Sequence, residues 1–269
     1  MLGIVADESA EFRFCLQEAP RNLCELSREH RHGWGLAVYE RTRGWGVVKQ
    51  PLCAGEDPRF LEMAGGSQGD VLVAHVRKRT VGPVSLENTH PFESGGWVFA
   101  HNGTIEEVDR LRAQTSPGRL AEVKGSTDSE VFFAYLLTHL DAAGAGPTTG
   151  RASSTVDVDA VLTRALSEVA TRPTFGACNF ILSNGDELYA FRQGRTLHVL
   201  EREPSDEVIS RRISSETGAV LDTPWTARRR AVLVASEQMT DEPWIAVAEG
   251  TLLKVTRSPR PEVRVLAAL

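Results

Sequence analysis

The order of apolar patterns along the chain restricts its fold more than any single motif does. Strand-length apolar runs come first, at Leu2–Ala6, Gly33–Tyr39, Trp45–Val48, Val71–Arg77 and Trp97–Ala100. Two stretches with helical spacing fill the middle. One places Phe133, Leu136, Leu137 and Leu140 on a single face after Thr127; the other carries Val158, Val161, Leu162, Ala165 and Val169 after Asp157. Strand-like runs return at Ala177–Leu182, Glu187–Phe191, Thr196–Leu200, Ala231–Ala235 and Thr251–Val255. Helices repeat every 3.6 residues, whereas strands alternate or run continuously apolar. Segregated blocks of this kind predict an α+β fold, met by two packed sheets with helices outside. Short helices are also expected at Asn22–Arg28 and Pro58–Ala64. Ala143–Thr155 reads as a flexible loop, and Ser205–Thr226 as polar and poorly patterned. No repeat is evident, and residues 1–269 read as a single domain.

Charge and cysteine usage narrow the class. The formal net charge is -6, which argues against a nucleic-acid surface. The basic run Arg228-Arg229-Arg230 precedes an apolar strand and reads as its solvated flank. Cys15, Cys24, Cys53 and Cys178 form no Cys-x-x-Cys pair, so neither a disulfide framework nor a zinc site is expected. No signal peptide or bilayer-length apolar run is visible, and a cytoplasmic location away from membranes is expected. No cofactor is called for.

The stretch from Leu86 to Gly103 concentrates the chemistry. Its strand, Trp97–Ala100, delivers His101, Asn102 and Gly103. Asn-Gly is the favoured pair of a tight hairpin turn. It can equally form an oxyanion hole, in which an Asn amide and a Gly backbone N–H point at one developing negative oxygen. Arg77 closes an apolar run buried on both faces, where a charge is either a site residue or a solvated strand end. Asp128 lies in the first turn of a helix that Thr127 and Glu130 start as a capping box. There it complements the helix dipole or binds a cation such as a substrate amine.

Four segments, taken in order, resemble the class II glutamine amidotransferases, a branch of the N-terminal nucleophile hydrolases. They are His32-Gly33-Trp34-Gly35-Leu36-Ala37, Ala74-His75-Val76-Arg77, Glu87-Asn88-Thr89-His90-Pro91-Phe92 with Ala100-His101-Asn102-Gly103, and Thr127-Asp128-Ser129-Glu130. The likeness continues through Asn179–Gly185 and Ala235-Ser236-Glu237, covering nearly the whole chain. It is closest to stand-alone γ-glutamyl amidases. The resemblance implies a four-layer αββα sandwich and a glutamine-like substrate, with any ammonia-using synthase on a separate chain. It assigns the substrate α-carboxylate to Arg77, the α-amine to Asp128 and the oxyanion hole to Asn102 and Gly103. It also places His90 and His101 at the substrate site. A guanidinium fork suits a carboxylate. A metal hydrolase built on His30, His32, His75, His90 and His101 is the competing reading, but no His-Glu-x-x-His spacing supports it.

The family's nucleophile is a cysteine exposed as the first residue. Its own α-amine, titrating near ~8 beside a thiol near ~8.5, serves as base. This sequence starts Met1-Leu2-Gly3 and has no Cys, Ser or Thr there. Stand-alone members commonly begin Met-Cys-Arg, then a hydrophobic residue, then Leu-Gly. Met1-Leu2-Gly3 matches the end of that pattern, so Met-Cys-Arg is expected just ahead of Met1. The alternative is a binding protein that has lost the nucleophile. Cys15 and Cys24 lie too far downstream to carry a free α-amine.

Overall fold

The computed structural model describes residues 1–145, 156–213 and 220–269. The strands in chain order are β1 (Leu2–Glu11), β2 (Trp34–Glu40), β3 (Gly44–Gln50), β4 (Gln68–Val76), β5 (Phe92–Ser94), β6 (Trp97–Ile105), β7 (Gly176–Ser183), β8 (Glu187–Phe191), β9 (His198–Arg202), β10 (Glu207–Ile213), β11 (Val220–Thr226), β12 (Ala231–Ala235), β13 (Ile245–Ala246), β14 (Thr251–Thr256) and β15 (Glu262–Ala268). The helices are α1 (Leu23–Leu26), α2 (Pro58–Gly66), α3 (Val108–Gln114), α4 (Pro117–Glu122), α5 (Asp128–Ala142) and α6 (Val158–Val169). Within the expected loop Ala143–Thr155, residues 146–155 lie outside those described, as does 214–219 within Ser205–Thr226.

Two antiparallel sheets form the frame. The first has seven strands in the order β13-β9-β12-β1-β4-β2-β3, and the second has six in the order β15-β14-β8-β7-β6-β5. Side chains alternate across each sheet, so every strand feeds two apolar layers. Val5, Val73, Val234, Val98, Ala100, Ile181 and Leu253 fill the space between the sheets. On the outer face of the first sheet, Leu2, Ile4, Leu36, Leu72 and Leu233 meet Leu23 of α1 and Phe60 of α2. On the outer face of the second, Phe99, Phe180 and Tyr189 meet α5 and α6. The result is the αββα sandwich. Trp34 belongs to the outer core, its indole N–H donating to Asp57 at 2.8 Å, and does not line the cavity described below.

Several expectations are corrected. β6 runs past Ala100 to Ile105, because β7 pairs with it as far as Ile105↔Gly176. Asn102-Gly103 is therefore extended strand and not a turn. Arg77 lies one residue beyond the end of β4. α5 is buried all round over its first ten residues, Asp128–Leu137, because it is enclosed by α3, α4, α6 and β6. The cap at Thr127 is half a capping box: its hydroxyl accepts the Glu130 N–H, but the Glu130 carboxylate turns to the N–H groups of Lys124 (2.9 Å) and Gly125 (2.6 Å). Ser205–Thr226 contains the β10–β11 hairpin, which the polar sequence hid. Among the described residues no helix is long and apolar enough to cross a membrane.

Candidate active site

The strand starts and ends that carry the motifs meet at one cavity of about 410 Å³. Met1, His75, Arg77, His90, His101, Asn102, Gly103, Asp128, Arg195 and Ser236 all line it. The sequence-derived candidates Arg77, His90, His101, Asn102, Gly103 and Asp128 are thus brought together. The four cysteines are not; Cys15, Cys53 and Cys178 are buried elsewhere. Burial raises the pKa of Cys15 and of Cys178, which makes either a poor thiolate.

Arg77 is fixed by the loop that follows it. Its Nη1 donates to the Pro83 carbonyl at 3.0 Å and its Nη2 to that of Val81 at 2.7 Å. Asn88 holds the same loop: its Nδ2 donates to the Pro83 carbonyl at 3.1 Å, and its Oδ1 accepts the Ser126 N–H at 2.8 Å. A guanidinium has five N–H donors, so Arg77 keeps donors free for a carboxylate. Burial lowers its pKa, while Asp128 opposes that shift.

Asp128 and Gly103 are tied by the edge of β6. The Ile105 N–H donates to Asp128 Oδ2 at 2.6 Å. Backbone N–H groups alternate along a strand, so the Gly103 N–H, two residues earlier, points to the same edge. The partner strand agrees: Cys178, opposite Gly103, sends its N–H away to the Gln193 carbonyl at 2.8 Å. Only glycine fits here. A Cβ on Gly103 would come within 2.0 Å of the Ala177 carbonyl oxygen. Asn102 shares its face with Val98 and Ala100, which look toward the first sheet.

The histidines are buried supports. His101 shares a hydrogen bond with the Ser129 hydroxyl at 2.8 Å through Nδ1. Burial lowers its pKa, and Asp128 counteracts this. His90 packs against His75 at 4.5 Å and Phe92 at 4.6 Å between ring centroids. Both ring nitrogens of His90 and the Nδ1 of His75 are buried without a hydrogen-bond partner. Each such atom typically costs about 1–3 kcal/mol. Burial also pushes both pKa values well below the usual histidine range, so the pair stays neutral. Among the described residues no group of three or more metal-binding side chains is placed to hold an ion.

The wall beside the chain start was not read from the sequence. Asn179 Nδ2 donates to the Thr196 carbonyl at 3.0 Å, and the Thr196 hydroxyl donates to the Ser236 carbonyl at 2.9 Å. Ser236 in turn brackets Met1: its N–H donates to the Met1 carbonyl at 3.0 Å, and its Oγ accepts from the Met1 amine at 3.1 Å. Asn179 and Ser236 stand in segments that resemble the family, which was the available signal. Their role depends on contacts across 40 and 235 positions. Burial lowers the Met1 amine to about 6, with Glu237 pulling the other way.

Layer order and cavity together define a sandwich of the N-terminal nucleophile type. The chain belongs to the class-II glutamine amidotransferases, whose family model matches residues 1–264. An uncharacterised protein of Methanocaldococcus jannaschii is 28% identical over 241 residues, covering 84% of this chain and 61% of its own. The γ-glutamyl-hercynylcysteine sulfoxide hydrolase of Mycobacterium tuberculosis is 29% identical over 174 residues, covering 63% of this chain and 62% of its own. A crystal structure titled "predicted glutamine amidotransferase" from Pseudomonas aeruginosa superposes with a TM-score of 0.61 at 25% identity, over 99% of this chain and 98% of that one. The chain thus spans only about 61–62% of the length of these two curated relatives.

Proposed function

We propose that the protein hydrolyses the side-chain amide of glutamine or of a γ-glutamyl amide, through a cysteine lying two residues ahead of Met1. The observation that carries this reading is the convergence of Arg77, Asp128, Asn102, Gly103 and the start of β1 on one cavity. Arg77 binds the α-carboxylate and Asp128 the α-amine, so the amide carbonyl is aimed at Asn102 Nδ2 and the Gly103 N–H. His90 and His101 line the substrate cavity as neutral, buried side chains.

Strand register supports the position of the nucleophile. Leu2 pairs with Ala74 on one side and with Ala235 on the other. Continuing that register puts a residue two ahead of Met1 opposite Arg77. The period of two keeps it on the face shared by Met1 and Val5, toward the second sheet and Asn102. A thiolate there attacks the amide carbon, and the negative oxygen passes to the Asn102 and Gly103 donors. The amine leaves with a proton from the cysteine's own α-amine, and water then cleaves the thioester to a γ-carboxylate.

The test is to place Met-Cys-Arg ahead of Met1, let the initiator be removed, and assay glutamine and simple γ-glutamyl amides. Activity that vanishes when the added Cys is changed to Ala is the expected result. A folded, processed protein inert on every γ-glutamyl amide would sink the proposal. If it still binds glutamate in calorimetry, and Arg77→Ala abolishes that binding, the chain is a head-group-binding protein.

A further inference from the structure

The two halves of the proposed chemistry sit on different sheets. The chain start belongs to the seven-stranded sheet through β1, whereas Asn102 and Gly103 belong to the six-stranded sheet through β6. Between the sheets lies an apolar layer, mainly of valine, alanine, isoleucine and leucine side chains. Such contacts are non-directional, so burial alone tolerates a small slide of one sheet on the other. Attack on an amide carbon does not, because a misplacement of about 1 Å can cost a hundredfold in rate. At the cavity wall a chain of hydrogen bonds crosses the gap. It starts at Asn179, the direct partner of Asn102 in the β6–β7 ladder, whose side chain therefore stands beside that of Asn102 on the same face. Asn179 is wholly buried, and its amide is used at both ends. Its Oδ1 accepts the Gln193 N–H at 2.8 Å, and its Nδ2 donates to the Thr196 carbonyl at 3.0 Å. The Thr196 hydroxyl then donates to the Ser236 carbonyl at 2.9 Å. Ser236 closes on the backbone of Met1, its N–H donating to the Met1 carbonyl at 3.0 Å and its Oγ accepting from the Met1 nitrogen at 3.1 Å. That last bond persists when residues precede Met1, since a peptide N–H is also a donor.

We infer that Asn179, Thr196 and Ser236 form a positioning chain that sets the attacking residue ahead of β1 against the oxyanion pair on β6. This rests on the amidase reading proposed above, which supplies the nucleophile. Thr196 is the link between the sheets: its carbonyl is anchored to β7, and its hydroxyl to the residue that follows β12. It is exposed at the cavity wall, so removing its hydroxyl leaves the core intact and acts on alignment. Arg77 and Asp128, which take the charged ends of the substrate in that reading, are held by other contacts, the loop after β4 and the Ile105 N–H. The chain therefore bears on the rate of attack and not on binding of the head group.

The experiment compares variants of the Met-Cys-Arg-extended chain on the γ-glutamyl amide that the parent cleaves fastest, with glutamate binding followed by calorimetry in the chain that begins at Met1. Thr196→Val keeps the shape and loses the donor; it should lower kcat about tenfold or more and leave KM and glutamate affinity within about twofold. Thr196→Ser keeps the hydroxyl and should hold kcat within about threefold of the parent. Ser236→Ala should also slow turnover. The double variant, Thr196→Val with Ser236→Ala, should be no more than about twofold slower than the worse single one, because both break the same chain. Losses that multiply instead, a kcat for Thr196→Val within about twofold of the parent, or a raised KM at unchanged kcat overturn the positioning chain and leave the amidase reading standing. An extended parent inert on every γ-glutamyl amide removes that reading, and the positioning chain falls with it.

Discussion

The same dipeptide occurs twice in this chain with opposite outcomes. Asn184-Gly185 makes the turn between β7 and β8. The Asn184 side chain accepts the N–H groups of Asp186 at 3.0 Å and Glu187 at 2.8 Å, and Gly185 takes a φ of +93°. Asn102-Gly103 is extended, paired to β7, and lines the cavity. The local preference is identical, so the surroundings decide. Before Asn184, β7 has reached its end, and the side chain can satisfy nearby N–H groups. After Asn102, β6 still has a partner strand and gains Asp128 as acceptor for Ile105. A turn at residue 102 would forfeit those bonds. An extended Asn-Gly is thus distinguished from a turn by the partners its neighbours leave for the backbone.

The contrast can be broken most severely at the second residue of each pair. Gly103→Ala should destabilise the fold by about 3 kcal/mol or more, since the obstacle is backbone and cannot rotate away. Gly185→Ala should cost less, about 1–3 kcal/mol, because its obstacle is the partly buried Tyr39 ring, which can shift, in addition to the positive φ. Urea titrations of both variants measure this; a milder effect at Gly103 than at Gly185 refutes the ranking. Next comes function. In the Met-Cys-Arg-extended chain, Asn102→Ala should lower kcat about a hundredfold or more with a stability change under about 1 kcal/mol. Asn184→Ala should do the reverse: kcat within about twofold, and roughly 1 kcal/mol of stability lost with its turn bonds. Comparable activity losses in the two variants would erase the distinction.

The smallest effect concerns acid. Burial depresses the pKa of His75 and His90, so unfolded chains take up protons, near ~6.5, that the folded protein refuses. Stability from these groups is therefore complete above ~6.5 and declines as pH falls, by at most about 1.4 kcal/mol per pH unit for each histidine. Thermal melts from pH 7 to 5 should show a shallower slope for His90→Phe than for the parent. An identical slope would show that His90 is not protonated on unfolding in that window. The turn at Asn184 contributes nothing to this slope, since its amide does not titrate.

Legibility followed burial. β4 and β7 were readable because both faces are covered, leaving continuous apolar runs such as Val71-Leu72-Val73-Ala74. β15 was missed because it is an edge strand none of whose residues is fully buried, so it shows no core-facing pattern. α3 and α4 were missed because each buries a single side chain, Leu111 and Arg119 respectively. The β10–β11 hairpin reaches the core chiefly through Val208 and Trp225, the latter stacked on Phe14 at 4.2 Å, which is too few anchors to produce a pattern. In the cavity, Arg77, Asp128, Asn102 and Gly103 stood out through their motifs. Arg195 and Thr196 did not, because a loop residue's place beside a distant strand leaves no periodic trace.

The central position of β1 carries a consequence for biosynthesis. β1 precedes both of its neighbours in the chain, being sandwiched between β4 and β12, and Met1 is held by Ser236. During translation its β12 side must stay unpaired until residues 231–236 emerge. The cavity accordingly remains unformed on a nascent chain, and a premature stop anywhere before that point yields a polypeptide with an open seam through its main sheet. Such fragments are natural clients for chaperones and proteases, so quality control of this protein is built into the order in which it is made.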